Sequence, residues 1–328
     1  MTNAGPRCVV ILSSKSAGSS ALQNLLCETG RVRHVRWTRH NENETLYWVK
    51  AASVLGLPQV DMADSEVPIT SRRARRELEL FLSVNLNEGG TVSATPGYAA
   101  PAVSPDAPRG EGGGESVDTK AALFDSWVAL CRAYEPVYLE KTPHHLHQRS
   151  ALDLMLECRS ERPEVRYHFV GLVRNPMDAL YSMWHRRREI PEVHQFEWAE
   201  AYRNLREVED ELGEDLTVVR YEDVIADPAV LRPVCEFAEI PVPEKGYLHA
   251  RSLAKWRKDA RYGFVLDGSV AELARGYGYA DEELANEPTP HWPLHRQLVR
   301  VPYRAVRPVR LLGRAARKRL RDRRAGKL

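Results

Sequence analysis

Short apolar runs alternate with amphipathic stretches along most of the chain. Four runs rich in β-branched and aromatic residues are predicted to be buried strands: residues 8–12, 137–140, 167–173 and 216–220. Apolar positions three and four residues apart predict helices over residues 120–133, 148–158, 178–188, 198–212 and 229–239. Strands that alternate with helices predict an α/β fold, in which helices flank a parallel sheet.

Composition divides the chain into a folded body and two atypical segments. Residues 87–118 are dominated by Gly, Pro, Ser and Ala, which predicts a flexible insertion that cannot pack a core. From Arg296 onward there are 13 Lys and Arg against one acid, whereas the rest of the chain has 34 against 44. We therefore predict one domain over residues 1–295 and a basic tail over 296–328. The tail is interpreted as a solvated extension, and the alternative is a cationic amphipathic helix that contacts membranes peripherally.

Cysteine usage and hydropathy indicate the compartment. The five cysteines are scattered and form no Cys-x-x-Cys pair, which argues against a disulfide framework and against structural zinc. No apolar run has the length of a signal peptide or of a spanning helix. We expect a cytoplasmic enzyme without a metal. Because the positive charge is confined to the terminus, we expect no nucleic-acid partner.

A loop of small residues follows the first predicted strand and precedes a helical stretch. Such a loop offers free backbone N–H groups and the positive end of a helix dipole, so it suits a phosphate. Lys15 adds a charge, and an anion can approach the backbone of the small residues Ser16, Ala17, Gly18, Ser19 and Ser20. The nucleotide-triphosphatase loop differs, because it needs a lysine where Ser19 stands. An ordinary capped helix start is the alternative.

A second candidate phosphate site follows the strand at 167–173. Arg174 stands at the carboxyl end of that strand, where α/β sheets bind ligands. Pro176 suits the first turn of a helix, and Ser182 lies about two turns along it. A guanidinium fork and a hydroxyl are suitable groups for a terminal phosphate. The alternative is a structural ion pair of Arg174 and an incidental serine.

Together these two motifs resemble the sulfotransferase superfamily. Residues 15–20 (KSAGSS) are similar to the K-T-A-G-T-S form of its phosphosulfate loop, and Arg174 and Ser182 resemble its 3′-phosphate motif. Three further segments share the resemblance, which covers about residues 7–279: 140–143 (EKTP), 220–228 (RYED…DP) and 252–258 (SLAKWRK). The resemblance implies a P-loop-like sulfotransferase fold with 3′-phosphoadenosine 5′-phosphosulfate (PAPS) as donor and 3′-phosphoadenosine 5′-phosphate (PAP) as product.

The same resemblance implies roles for individual residues. Lys15 would contact the bridging oxygen as the bond to sulfur breaks, and Lys141 would assist at the acceptor site. A basic-aromatic loop would close over the nucleotide through Trp256, Arg257 and Lys258. The acceptor would be a hydroxyl of a carbohydrate, a glycolipid or another small molecule.

Glu44 is the first candidate for the base that takes the acceptor's proton. Residues 42–48 (ENETLYW) resemble in register the E-N-E-V-H-F-F stretch that holds the catalytic Glu of glycan 3-O-sulfotransferases. His40 and His144 are the alternatives, because small-molecule sulfotransferases use His. Glu44 is otherwise interpreted as a surface carboxylate at a helix start.

Two other functions are compatible with parts of the pattern. A P-loop small-molecule kinase would bind phosphates at the first loop, but the lysine and the magnesium-holding carboxylate that it needs are not evident. A non-catalytic nucleotide-binding protein would use the basic tail to bind nucleic acid or acidic membranes. The sequence identifies neither the acceptor nor the oligomeric state.

Overall fold

The computed structural model describes residues 5–40, 43–86, 114–244, 248–259, 262–286, 294, 296 and 298–301, with side chains from residue 119 onward in the third range. Residues 87–113 of the predicted insertion and most of the predicted basic tail lie outside these ranges.

One parallel sheet organises the described part of the chain. Its order is β2-β3-β1-β4-β5, so β1 lies at the centre between β3 and β4. The strands are β1 (Arg7–Ser13), β2 (Val32–Arg33), β3 (Val137–Lys141), β4 (Arg166–Val173) and β5 (Leu216–Arg220). The predicted α/β fold with a parallel sheet between helices is confirmed.

Twelve α-helices accompany the sheet within the described ranges. They are α1 (Ser19–Leu26), α2 (Tyr47–Val54), α3 (Ser71–Leu86), α4 (Gly114–Ala133), α5 (Pro143–His147), α6 (Arg149–Glu161), α7 (Pro176–Arg187), α8 (Pro191–Leu212), α9 (Tyr221–Ala226), α10 (Arg232–Ala238), α11 (Gly268–Gly276) and α12 (Asp281–Leu284). Short 3₁₀ helices cover Gly213–Asp215, Pro228–Leu231, Ala250–Ser252 and Lys255–Lys258.

Three predicted elements differ most from the structure. The structure starts α4 at Gly114, so the last five residues of the predicted insertion are helical; residues 115–118 contain no Gly or Pro, and a formed helix extends through such residues. Helix α8 begins at Pro191 rather than at 198, because proline suits a first helical turn. The helix predicted over 229–239 is divided, since Pro233 has no N–H to donate to the carbonyl of Ala229.

The alternating side chains of β1 enter two separate cores. Cys8, Val10 and Leu12 belong to the larger core, while Val9 and Ile11 belong to the smaller one on the other face. The larger core contains an aromatic cluster on α2 and α4, in which ring centroids lie 4.8–5.1 Å apart: Tyr47, Trp48 and Trp127. All eight residues of α2 are buried, so this helix has no polar face.

Packing beside Gly171 gives a test of the fold. A Cβ atom at Gly171 in β4 would lie 2.9 Å from Cδ2 of Leu205 and 3.2 Å from Cγ2 of Val218. We expect Gly171→Ala to lower the free energy of unfolding by about 1–3 kcal/mol, because it overpacks a filled interface between the sheet and α8. Chemical denaturation measures the change.

Gly268→Ala is the matched control. Gly268 begins α11, and a Cβ there would meet no heavy atom within 4 Å other than those of its own chain neighbours and helix backbone. The stability of this variant should be equal to or slightly above that of the parent. Equal unfolding free energies for the two variants would contradict the packing described here.

Candidate functional site

The small-residue loop lies where β1 ends and α1 begins. Two of its residues have left-handed backbone, Ser16 with φ 61° and Gly18 with φ 99°. A Cβ at Gly18 would lie only 2.4 Å from Cε2 of Tyr221, so both its φ and its packing require glycine. Gly18 is the N-cap of α1, and the first N–H groups of a helix point out of its N-terminus. The loop therefore offers the backbone donors that an anion needs.

Arg174 comes to the same loop from the end of β4. Its guanidinium donates to the carbonyl oxygens of Ser16 at 2.9 Å and Ser252 at 3.1 Å, and it stacks 4.6 Å from the ring centroid of Tyr221. Arg174 Nε is buried and makes no hydrogen bond within the described ranges. A rigid cation with a donor left over fits the terminal phosphate of a nucleotide.

A cavity of about 950 Å³ joins the predicted residues. Predicted donor-site residues that line it are Lys15, Ser16, Gly18, Ser19, Ser20, Arg174 and Ser182. Predicted base candidates that line it are Glu44, His40 and His144. Ala17, which is also in the loop, is fully buried and is not part of the lining. Candidates for phosphate binding and for proton transfer thus share one space.

Lys15 is held by polar partners at the edge of this cavity. Its Nζ lies 3.2 Å from Oε2 of Glu197 and donates to the carbonyl oxygen of Ala63 at 3.1 Å. Burial would raise the pKa of Glu197, but the hydrogen bond from His194 and the charge of Lys15 outweigh it and lower that pKa to about 2. Glu197 is therefore ionised at any physiological pH.

Glu44 lies within reach of a second lysine. Lys141, the last residue of β3, has a fully buried side chain whose Nζ is 3.7 Å from Oε1 of Glu44 and donates to Oγ of Ser20 at 3.0 Å. Lys141 therefore connects the base candidate to the phosphate loop. Since α2 begins only at Tyr47, Glu44 lies in the segment before the helix and not in its first turn.

A buried carboxylate fixes the segment that carries Glu44. Glu140 accepts hydrogen bonds from the hydroxyls of Thr45 and Thr142 at 2.7 Å each and of Tyr138 at 3.0 Å. Thr142 in turn accepts from the backbone N–H groups of Thr45 at 3.1 Å and Leu46 at 3.2 Å. Within residues 140–143, Glu140 and Thr142 thus secure the backbone beside Glu44.

The two histidine candidates are both neutral at neutral pH. Burial, followed by the charge of Lys50, lowers the pKa of His40 to about 4. Burial, followed by the charge of Lys15, holds the pKa of His144 well below its usual value, and Nε2 of His144 lies 2.9 Å from Oγ of Ser65. Both rings face the cavity and could accept a proton.

The basic-aromatic segment lies apart from the cavity lining. Trp256 is buried, and Arg257 stacks 5.0 Å from its ring centroid while donating to the carbonyl oxygen of Glu282. None of Trp256, Arg257 and Lys258 lines the cavity described above. Their role in covering the nucleotide stays a prediction.

Several lining residues were not predicted from sequence. The unpredicted charged residues of the lining are Asp64, Glu66, Arg186, Arg187 and Glu189. Nη2 of Arg187 lies 3.4 Å from Oγ of Ser16, and the Tyr221 ring contacts both Gly18 and Arg174. The sequence places Tyr221 in the RYED…DP segment of the resemblance but gives it no role of its own. The position of Arg187 at the end of α7 gave no signal, because runs of arginine are common on solvated helix ends.

The described ranges contain neither a candidate membrane span nor a candidate metal site. No helix there is long and apolar enough to cross a membrane. In the same ranges, no group of three or more His, Cys, Asp or Glu side chains is arranged to hold a metal ion.

Comparison with solved structures supports the fold. The sulfotransferase domain of the Synechococcus PCC 7002 olefin synthase is 18% identical, with 85% of this chain and 98% of that domain covered and a TM-score of 0.51. The sulfotransferase domain from the curacin biosynthetic pathway is 16% identical, with coverages of 84% and 98% and a TM-score of 0.46. No curated protein matches the chain significantly.

Comparison with protein families gives the identity. The profile of the Sulfotransferase family matches residues 6–244, which include the phosphate loop with Lys15, and also Lys141 and Arg174. The match spans well over half of the 328 residues. The chain therefore belongs to the sulfotransferase family.

Proposed function

We propose that this sulfotransferase takes its sulfuryl group from PAPS and transfers it to a hydroxyl of a carbohydrate, a glycolipid or another small molecule. The observation that carries the proposal is the cavity shared by the small-residue loop, Arg174 and Glu44. The loop and the arginine provide donors for two phosphates, as a donor with phosphates on both sides of its ribose requires. Glu44 provides a carboxylate on the same cavity for the acceptor's proton.

The donor end acts by positioning and by charge. The N–H groups at the start of α1 bind the 5′-phosphate, and Arg174 with Ser182 binds the 3′-phosphate. Lys15 places its ammonium at the bridging oxygen, where negative charge grows as the bond to sulfur breaks. These fixed groups need no rearrangement at the moment of transfer, which lowers the barrier.

The acceptor end withdraws a proton. Glu44 takes the proton of the acceptor hydroxyl as the oxygen attacks sulfur in line with the leaving phosphate. One O–S bond forms, the bridging S–O bond breaks, and PAP leaves with the negative charge. Lys141 holds Glu44 near the loop through Ser20 and neutralises charge beside it.

The cytoplasmic location and the absence of a nucleic-acid partner stay predictions.

Nucleotide selectivity tests the two anion sites. PAP should bind more tightly than adenosine 5′-phosphate, and Arg174→Ala should weaken PAP binding by about 2 kcal/mol, since it removes a charge-assisted contact. Calorimetry measures both affinities. Arg203→Ala is the control, because Arg203 lies on exposed helix surface and pairs with Glu200. Equal affinity for the two nucleotides would overturn the second phosphate site.

Donor identity separates this proposal from a P-loop kinase. Labelled PAPS should transfer its sulfuryl group to at least one member of a panel of sugars, glycolipids, phenols and peptides without magnesium. ATP with magnesium should give no phosphorylated product, since Ser19 stands where a kinase loop has its lysine. Phosphoryl transfer from ATP without any sulfuryl transfer would favour the kinase.

The base is tested by an isosteric change. Glu44→Gln removes basicity and keeps shape, so the transfer rate should fall by roughly 10²–10⁴-fold with little change in PAP affinity. Glu28→Gln, an exposed carboxylate just beyond α1, is the control. Near-normal turnover by Glu44→Gln would transfer the role to His40 or His144, each tested as an Asn variant.

A further inference from the structure

We propose that Glu197 is a positioning residue for Lys15 and that it ties the donor lysine to the segment of residues 63–66, of which Asp64, Ser65 and Glu66 line the cavity. The inference rests on the proposed function, because it assigns Lys15 to the group being transferred. Glu197 lies on α8, far from the motifs in sequence, and it does not line the cavity.

Three residues form a closed set of contacts around this carboxylate. Oε2 of Glu197 lies 3.2 Å from Nζ of Lys15, and Oε1 accepts from the backbone N–H of Ala63 at 2.6 Å. Lys15 completes the set by donating to the carbonyl oxygen of Ala63. Each member is therefore bound to both others, so Lys15 cannot move independently of Ala63.

His194 connects Glu197 to Asp64, which lines the cavity. Its Nδ1 lies 2.8 Å from Oε2 of Glu197, and its Nε2 lies 3.6 Å from Oδ2 of Asp64. Asp64 also pairs with Arg300 at 2.9 Å. Burial would lower the pKa of His194, but its hydrogen bonds with Asp64 and Glu197 outweigh burial and raise that pKa.

Burial makes the pair of Lys15 and Glu197 stronger than a surface ion pair. Their side chains are 11% and 14% exposed, so water screens the attraction poorly. Exposed pairs hold a long side chain weakly, because the entropy of ordering it offsets the attraction. Here Glu197 and the carbonyl oxygen of Ala63 hold the Lys15 ammonium, and these contacts fix its flexible side chain next to the phosphate loop.

A purely structural role is the competing explanation, since the same contacts join α8 to the segment 63–66. The two differ in whether the effect of Glu197 passes through the Lys15 ammonium. Glu197→Gln keeps the length and one acceptor while removing the charge. We expect it to lower sulfuryl transfer by roughly 10²-fold, as a misplaced catalytic group does, with little change in PAP affinity.

A double-mutant cycle with Lys15→Met decides between them. In the Lys15→Met background, Glu197→Gln should cause less than about a 2-fold further loss, because the group that it positions is gone. Labelled PAPS is the donor, and both water and the alcohols of the panel are the acceptors. Equal losses in both backgrounds would overturn the proposal. Glu200→Gln, three residues along α8 and with a half-exposed side chain, is the matched control.

A second measurement does not depend on turnover. Acetic anhydride labelling followed by mass spectrometry should show Lys15 reacting several-fold faster in Glu197→Gln than in the parent or in Glu200→Gln, because the carboxylate no longer holds the ammonium. Unchanged reactivity would overturn the tether itself. If the parent bound no PAP and released no sulfuryl group, the proposed function would fail; PAP binding with an additive cycle would refute only the role of Glu197.

Discussion

The central place of β1 between β3 and β4 is the constraint on which the site depends. In a parallel sheet the carboxyl ends of all strands lie at one edge. The last residues of β1, β3 and β4, which are Ser13, Lys141 and Val173, therefore lie at the same edge. Sheet topology alone therefore brings three groups together: the loop after β1, the buried lysine at the end of β3 and the arginine after β4. Helices on both faces bury the strands, so β1 contributes side chains to both cores.

Sequence patterns predicted the parts of the fold in which a local signal matches the final environment. β1 and β4 are continuous apolar runs because both faces of each strand are covered, and the predicted strands are present. Helix α2 gave no such signal, since all of its residues are buried and it lacks a polar stripe. Helix α5, only five residues long, is too short for a periodic pattern to show.

The site divides along the same line. Lys15 and Arg174, in motifs next to strand ends, and Glu44, in the segment before α2, are predicted from the sequence and line one cavity. Glu197 and Asp64 could not be predicted, because each acts through a contact between distant segments. Lys15 and Glu197 are separated by 182 positions, and no local pattern encodes such a pairing. The charge state of His40 likewise depends on Lys50, which only the folded chain brings near.

The hydroxyl of Thr142 has consequences for how the chain can vary. It donates once, to Glu140, and accepts twice, from Thr45 and Leu46, so its capacity for hydrogen bonds is fully used. Serine has the same capacity, whereas valine matches threonine in shape and would break all three bonds. Relatives that keep this backbone should therefore exchange threonine for serine here and exclude valine. Hydrogen-bonding capacity constrains this position of the EKTP segment more than side-chain size does.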